Sequence, residues 1–243
     1  MKTSARDEPV VMFMKFTSEE KYARDILNGR FYSNDANYYR NLEMISGEHG
    51  QGDINELVYN MPYVSVQIFD SKNMKMIMES NKASAKVVRK NDGEIPFVCF
   101  VGIRESDLIK CNDGGKEGFR FPFTNEDLSS METKFGKYCV IITPEALIKR
   151  LLELQSKYNI MFEPIKYVNS ADLSKALSHF NGKIDRFFYK DDDFAYQREY
   201  RLCIFDKMPK DHYFYVSQFN SDEAFGIESK YLKNARFYFG ESK

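Results

Sequence analysis

The hydrophobic pattern opens on Val10 to Phe16, an apolar run interrupted by Lys15, which predicts a short strand. Thr17, with Glu20 three residues on, has the spacing of a capping box, and Tyr22, Ala23, Ile26 and Leu27 form the apolar stripe of a helix. Gly29 stops that helix and Arg30 to Ser33 continues extended. Asn34 to Glu56 is polar and irregular. Pro62 to Phe69 alternates as a strand, Asp70 to Asn73 is its turn, and Met74 to Met78 is the return. Asn91-Asp92-Gly93 is a further turn signal, and Pro96 to Ile103 is apolar enough for a strand buried on both faces.

Glu105 to Phe135 is turn-rich, and Tyr138 to Ile142 reads as a strand. Thr143 then caps a helix with Pro144 at its first position and Leu147, Ile148, Leu151, Leu152 and Leu154 on its apolar face. Ile165 to Val168 is a short strand. Ser170 is the expected cap of a helix carrying Leu173, Leu177 and Phe180, and Ile184 to Tyr189 is helical. Strands follow over Arg198 to Phe205, Tyr213 to Phe219 and Arg236 to Phe239, with a short helix near Glu228 to Leu232. No Pro-, Gly- or Ser-rich linker and no internal repeat divides the chain. The pattern predicts one α+β domain over residues 1–243, with mostly antiparallel strands.

Composition narrows this. Of 243 residues, 43% are hydrophobic and 15% aromatic, so a sizeable core can form and the composition argues against disorder. The formal charge of −1 gives no global footprint for nucleic acid or anionic membrane. Cys99, Cys111, Cys139 and Cys203 are too far apart for a zinc site, and three of them lie in apolar runs, as small core residues do. No apolar run is long enough to span a bilayer, and the N-terminus lacks a signal segment, so a cytoplasmic protein without a membrane partner is expected.

The chemistry concentrates in Phe194-Ala195-Tyr196-Gln197-Arg198-Glu199-Tyr200-Arg201. Read as a strand, it puts Gln197, Glu199 and Arg201 on one face, with Cys203 and Phe205, while Tyr200, Leu202 and Ile204 point the other way. A carboxylate so placed can hold a ribose hydroxyl and stabilise positive charge developing at an anomeric carbon. The amide two residues earlier can orient an acceptor, and Arg201 can pair with Glu199 or bind phosphate. A salt-bridged, half-exposed sheet face carries the same residues, and spacing alone favours it. Lys15 can reach a phosphate or ribose, or simply blunt a strand edge. Tyr32 can stack on a flat ring or pack in the core.

These residues carry a resemblance. Phe194, Gln197 and Glu199 have the spacing of the turn motif of toxin-type ADP-ribosyltransferases, and the strand-helix-glycine opening is similar to theirs. The order of pieces along the chain resembles a bacterial family of ADP-ribosyltransferase-like domains, often encoded near phage-defence genes. Those pieces are Lys15-Phe16, Gly29-Arg30-Phe31-Tyr32, Tyr39-Arg40, Gly52-Asp53 with Glu56, Val98-Cys99-Phe100, and Phe194 through Arg201. The resemblance implies split, twisted, mostly antiparallel sheets around an NAD cleft, with helices outside. It implies Glu199 as the catalytic glutamate and Gln197 facing the acceptor. Tyr32 would line the nicotinamide pocket, Lys15 would take the first-strand position, and Arg201, Phe194, Tyr39 and Asp53 would help bind NAD. The toxin branch has Arg at the first-strand position and the other main branch His; this chain has Lys15.

Other motifs are bland. Gly47 to Asp53 lacks the ending and context of a P-loop and reads as a flexible loop. Asp191-Asp192-Asp193 can hold a cation but reads as a solvated turn, and His49, His179 and His212 are scattered, His179 on an apolar helix as a core residue. The expected activity is cleavage of the nicotinamide-ribose bond of NAD, with ADP-ribose passed to a protein or nucleic-acid acceptor or to water, in a toxin or phage-defence effector. Its partner would be a phage protein or an antitoxin. The alternatives are a non-catalytic module sensing a nucleotide or phage protein, and a metal-dependent nucleic-acid-processing enzyme using Asp191 to Asp193.

Overall fold

The computed structural model describes residues 8–47, 50–169 and 172–238. Among these the fold is α+β with mostly antiparallel strands. They fall into two compact units, one built from segments 1–34, 95–165 and 195–243, the other from 35–94 and 166–194. The chain crosses between the units four times, twice inside an element, within the short strand Asn34–Asp35 and within the 3-10 turn Asp192–Gln197, so no linker composition marks the boundary.

The first unit is organised by a sheet of six long strands. Their order is Ile160–Pro164, Glu199–Ile204, Pro96–Arg104, Val10–Thr17, Tyr138–Ile142 and Ala224–Glu228, and every neighbouring pair is antiparallel. Alternation along these apolar strands loads both faces. One face carries Phe13, Val98, Phe100, Val140 and Leu202 beneath Ala23 and Ile26 of the Glu20–Leu27 helix and Leu147 and Leu151 of the Pro144–Gln155 helix. The other carries Met14, Val101, Cys139 and Ile141 against Leu128 and Met131 of the Asn125–Phe135 helix. Covering both faces removes water from the middle strands.

Caps follow the sequence where a side chain does the capping. Thr143 accepts from the Ala146 N–H, with Pro144 at the first position. The first helix differs from expectation: Glu19, not Thr17, is its cap, because Thr17 still belongs to the strand and its hydroxyl donates to the Glu19 carbonyl. Two elements hide in stretches read as irregular. Ala36–Ser46 is a helix capped by Asp35, and Asn125–Phe135 is a helix with a Thr124/Asp127 capping box. In the second unit Asp172 caps the Leu173–Phe180 helix; Ser170, His49 and Phe239 lie outside the described residues. That unit also holds the one parallel strand pair among the described residues, Lys166–Val168 with Tyr189–Asp191, and a long hairpin of Val58–Phe69 with Met76–Val88.

One glycine fixes the strand that carries Glu199. Gly102 lies across from Phe13, and an edge of the Tyr200 ring covers it, the ring standing edge-to-face with Phe13 at 5.3 Å. A β-carbon at Gly102 would overlap that ring. Gly102→Ala is therefore expected to destabilise the protein by about 1–3 kcal/mol in urea denaturation. Gly226→Ala, where a β-carbon meets only Leu27 at van der Waals distance, is expected to leave the midpoint nearly unchanged.

Candidate functional site

The strand expected from Phe194 onward begins only at Glu199. Asp192–Gln197 is a 3-10 turn, closed by the Arg198 N–H donating to the Ala195 carbonyl at 3.2 Å. Arg198 then takes a left-handed backbone (φ 47°), and its guanidinium holds Asp107 at 2.5 Å. A left-handed residue reverses the local direction of the chain, so the two-residue alternation does not extend back to Gln197. The expectation that Gln197 shares a strand face with Glu199 is corrected on this ground. Gln197 is buried, and its amide nitrogen donates to the Tyr196 hydroxyl at 3.3 Å, which also accepts from Lys134 at 3.1 Å.

Glu199 and Arg201 do share a face. Glu199 lies in a row with Val101 and Met14, and Arg201 pairs across with Cys99 and Glu163. Both are buried, Arg201 to 0% exposure. The Arg201 Nε donates to a Glu199 carboxylate oxygen at 2.8 Å, and the guanidinium stacks on the Phe97 ring at 4.3 Å. The plain alternative read from spacing, a salt-bridged strand face, is present in its pairing but not in its exposure. What the sheet provides is a dry, oriented carboxylate beside a fixed cation.

Lys15 starts from the other face. Its neighbour Met14 is in the Glu199 row, while Lys15 pairs with Val140, and its ammonium sits 6.0 Å from the Phe100 ring centroid. Burial lowers its pKa, against the nearby Cys99 and Glu199, which raise it. Tyr32 is half-exposed; its ring contacts are with His212, stacked at 5.8 Å, and with Tyr213 at 5.3 Å. Its neighbour Phe31 reaches the core instead, edge-to-face on Phe100.

Tyr39, Asp53 and Phe194 belong to the second unit. The Asp53 N–H donates to the Tyr39 carbonyl at 3.2 Å, and Arg40 holds the Glu56 carbonyl at 2.8 Å. Lys190 lies 4.7 Å from the Phe194 ring centroid and acts electrostatically on Asp53. So the Asp53 and Phe194 signals meet at one buried lysine that the sequence did not single out, with Tyr39 and Glu56 beside Asp53. Burial, then the Glu56 charge, push the Asp53 carboxyl up to about 6, with Lys190 and the Asn55 N–H opposing.

The same unit buries further charge. Lys175 pairs with Asp191 at 2.6 Å, which takes the first carboxylate of the Asp191-Asp192-Asp193 run. Asp92, read only as a turn residue, is held by two Arg186 nitrogens at 2.5 and 2.7 Å. His179 is in the core as expected, stacked on Tyr59 at 6.2 Å, with a buried Nδ1 that has no hydrogen-bond partner among the described residues. Among the described residues no group of three His, Cys, Asp or Glu side chains is placed to hold a metal. No described helix is long and apolar enough to cross a membrane. No protein-family model, no curated protein and no solved structure matches the chain.

Two outcomes follow. Arg201→Met alone leaves the Glu199 charge buried, and a loss of about 3–5 kcal/mol is expected in urea denaturation. Arg201→Met with Glu199→Gln is expected to lose less than the sum of the two single variants; simple additivity would exclude the pairing. The second concerns pH. Burial first, then the cations of Lys175, Arg186 and Arg89, hold His179 down to about 4, against Asp92. Unfolding thus takes up a proton between the ordinary histidine range and about 4, and stability falls as pH drops through that window. Asp53 has the opposite sign: its raised pKa contributes stability at low pH that is lost as pH rises through about 6. Denaturation midpoints of His179→Phe are expected to fall less steeply below pH 6 than wild type. Those of Asp53→Asn are expected to gain on wild type between pH 5 and pH 7.5.

Proposed function

We propose that this protein is an ADP-ribosyltransferase-like enzyme that uses NAD as substrate. Its reaction breaks the bond between the anomeric carbon of the ribose and the pyridinium nitrogen, and the bonding electron pair leaves with neutral nicotinamide. A lone pair from a macromolecular acceptor, or from water, then attacks that carbon, and the acceptor's proton passes to solvent. Glu199 holds a ribose hydroxyl and stabilises the cationic transition state. Arg201, paired with that carboxylate, joins it in binding NAD. The setting is a toxin or phage-defence effector, with a phage protein or antitoxin as partner.

The observation that carries the reading is Glu199 itself, a buried carboxylate on an inner strand of an antiparallel sheet, oriented by Arg201. A charge fixed before reaction needs no reorganisation during it, and water exclusion strengthens its field. The order of family-like pieces along the chain adds to it. A second reading, a module that binds a nucleotide without turning it over, is favoured by Lys15 leaving the sheet from the face opposite Glu199.

Incubation with NAD labelled in the adenylate, alone and with cell extract, separates the two. Nicotinamide release or label transfer that falls by about 10²–10³ in Glu199→Gln is expected. Binding without turnover supports the sensing module. Turnover unchanged in Glu199→Gln contradicts the assignment.

A further inference from the structure

The hairpin of the second unit has no structural partner along most of its length. Val58–Phe69 pairs only with Met76–Val88, so among the described residues both outer edges of this two-stranded ribbon are open. Its root is buried through Leu57, Val58 and Tyr59, which anchors it. Its far half is exposed and ends in large apolar side chains: Ile68, Phe69, Met74, Met76, Ile77 and Met78, with Met74 at 70% and Ile77 at 68% exposure. A bare ribbon is marginal in water and an uncovered apolar end marks an interaction site.

Charge says what kind. Residues 58 to 90 hold six basic and two acidic side chains, a net of +4, in a chain whose total is −1. Lys72, Lys75, Lys82 and Lys86 are exposed and have no ion-pair partner among the described residues. The two acids are used locally. Asp70 accepts from the Lys72 N–H within its own turn at 2.7 Å, and Glu79 accepts from Gln67 at 2.8 Å. The partner is therefore acidic. A second copy would set like charge against like. A bilayer would have to admit the turn first, carrying Asp70 and Lys72 into hydrocarbon at about 2.5–3.5 kcal/mol each. A two-stranded ribbon fits the major groove of B-form DNA, about 12 Å wide, whereas the major groove of RNA duplexes is too narrow.

We propose that this hairpin is a DNA-binding arm, its lysines on backbone phosphates and its apolar end packed against base edges in the major groove. The lysine contacts to phosphate supply most of the affinity, so binding is largely independent of sequence. This goes beyond the NAD reading and does not depend on Glu199.

The test is anisotropy with a fluorescein-labelled 20-base-pair DNA duplex, without NAD. Saturable binding is expected, with log K falling against log salt at a slope of about −3 to −4, four phosphates being neutralised. Replacing Lys72, Lys75, Lys82 and Lys86 by Ser is expected to weaken binding at least tenfold and flatten the slope. Phe69→Ser with Met74→Ser is expected to weaken binding without changing the slope. Unchanged far-UV circular dichroism and melting temperature check that both variants fold. Tighter binding to the same sequence as an RNA duplex, capture by phosphatidylserine vesicles in place of DNA, or lysine variants that bind like wild type would each overturn the proposal.

Discussion

A guanidinium removed from water has to keep its charge, and that constraint shapes the first unit. Arg201 has no exposed surface and cannot deprotonate, so a carboxylate must stand beside it. Strand alternation supplies one two residues earlier, on the same face, and Phe97 covers the guanidinium. The cost of drying both groups is met only because the geometry is fixed. Gly102 admits the Tyr200 ring on one face, the Asn125–Phe135 helix covers the other, and the left-handed Arg198 sets where the strand begins. The outcome is a carboxylate whose direction is decided by the fold before any ligand arrives. That property links packing to the proposed chemistry at an anomeric carbon.

The second unit buries charge differently. Arg186 with Asp92 and Lys175 with Asp191 are close pairs, while burial pushes the Asp53 carboxyl up and the His179 imidazole down. A small unit with so many buried ionic groups spends little apolar material on its interior. Much of that material stands instead on the exposed end of the hairpin, where it does nothing for the fold. Buried ions and a bare apolar arm point the same way: local stability is conceded where a surface is kept for a partner.

The sequence was most legible where local physics is self-contained. Tyr138–Ile142 and the Thr143-Pro144 helix start appear as read, because a buried apolar run and a side-chain cap need no distant partner. The Ala36–Ser46 helix escapes notice because only Ala36 is buried and its larger apolar residues, Tyr38, Met44 and Ile45, stand exposed, so no core-facing stripe marks it. The Asn125–Phe135 helix carried a usable signal, Thr124 with Asp127, masked by turn residues before it. At the site, Glu199 with Arg201 was legible from alternation and Gln197 was not. One residue at positive φ breaks the periodicity on which such reading relies. Lys190 was invisible, since its significance comes only from long-range packing beside Asp53 and Phe194.

The central claim is that Glu199 meets the nicotinamide ribose, and a crystal structure with a non-cleavable carbocyclic NAD analogue examines it directly. The expected result is the nicotinamide ribose hydroxyls within hydrogen-bond distance of the Glu199 carboxylate, with the Arg201 pair intact. An analogue seated away from Glu199, or crystals that take up none at saturating concentration, would contradict it.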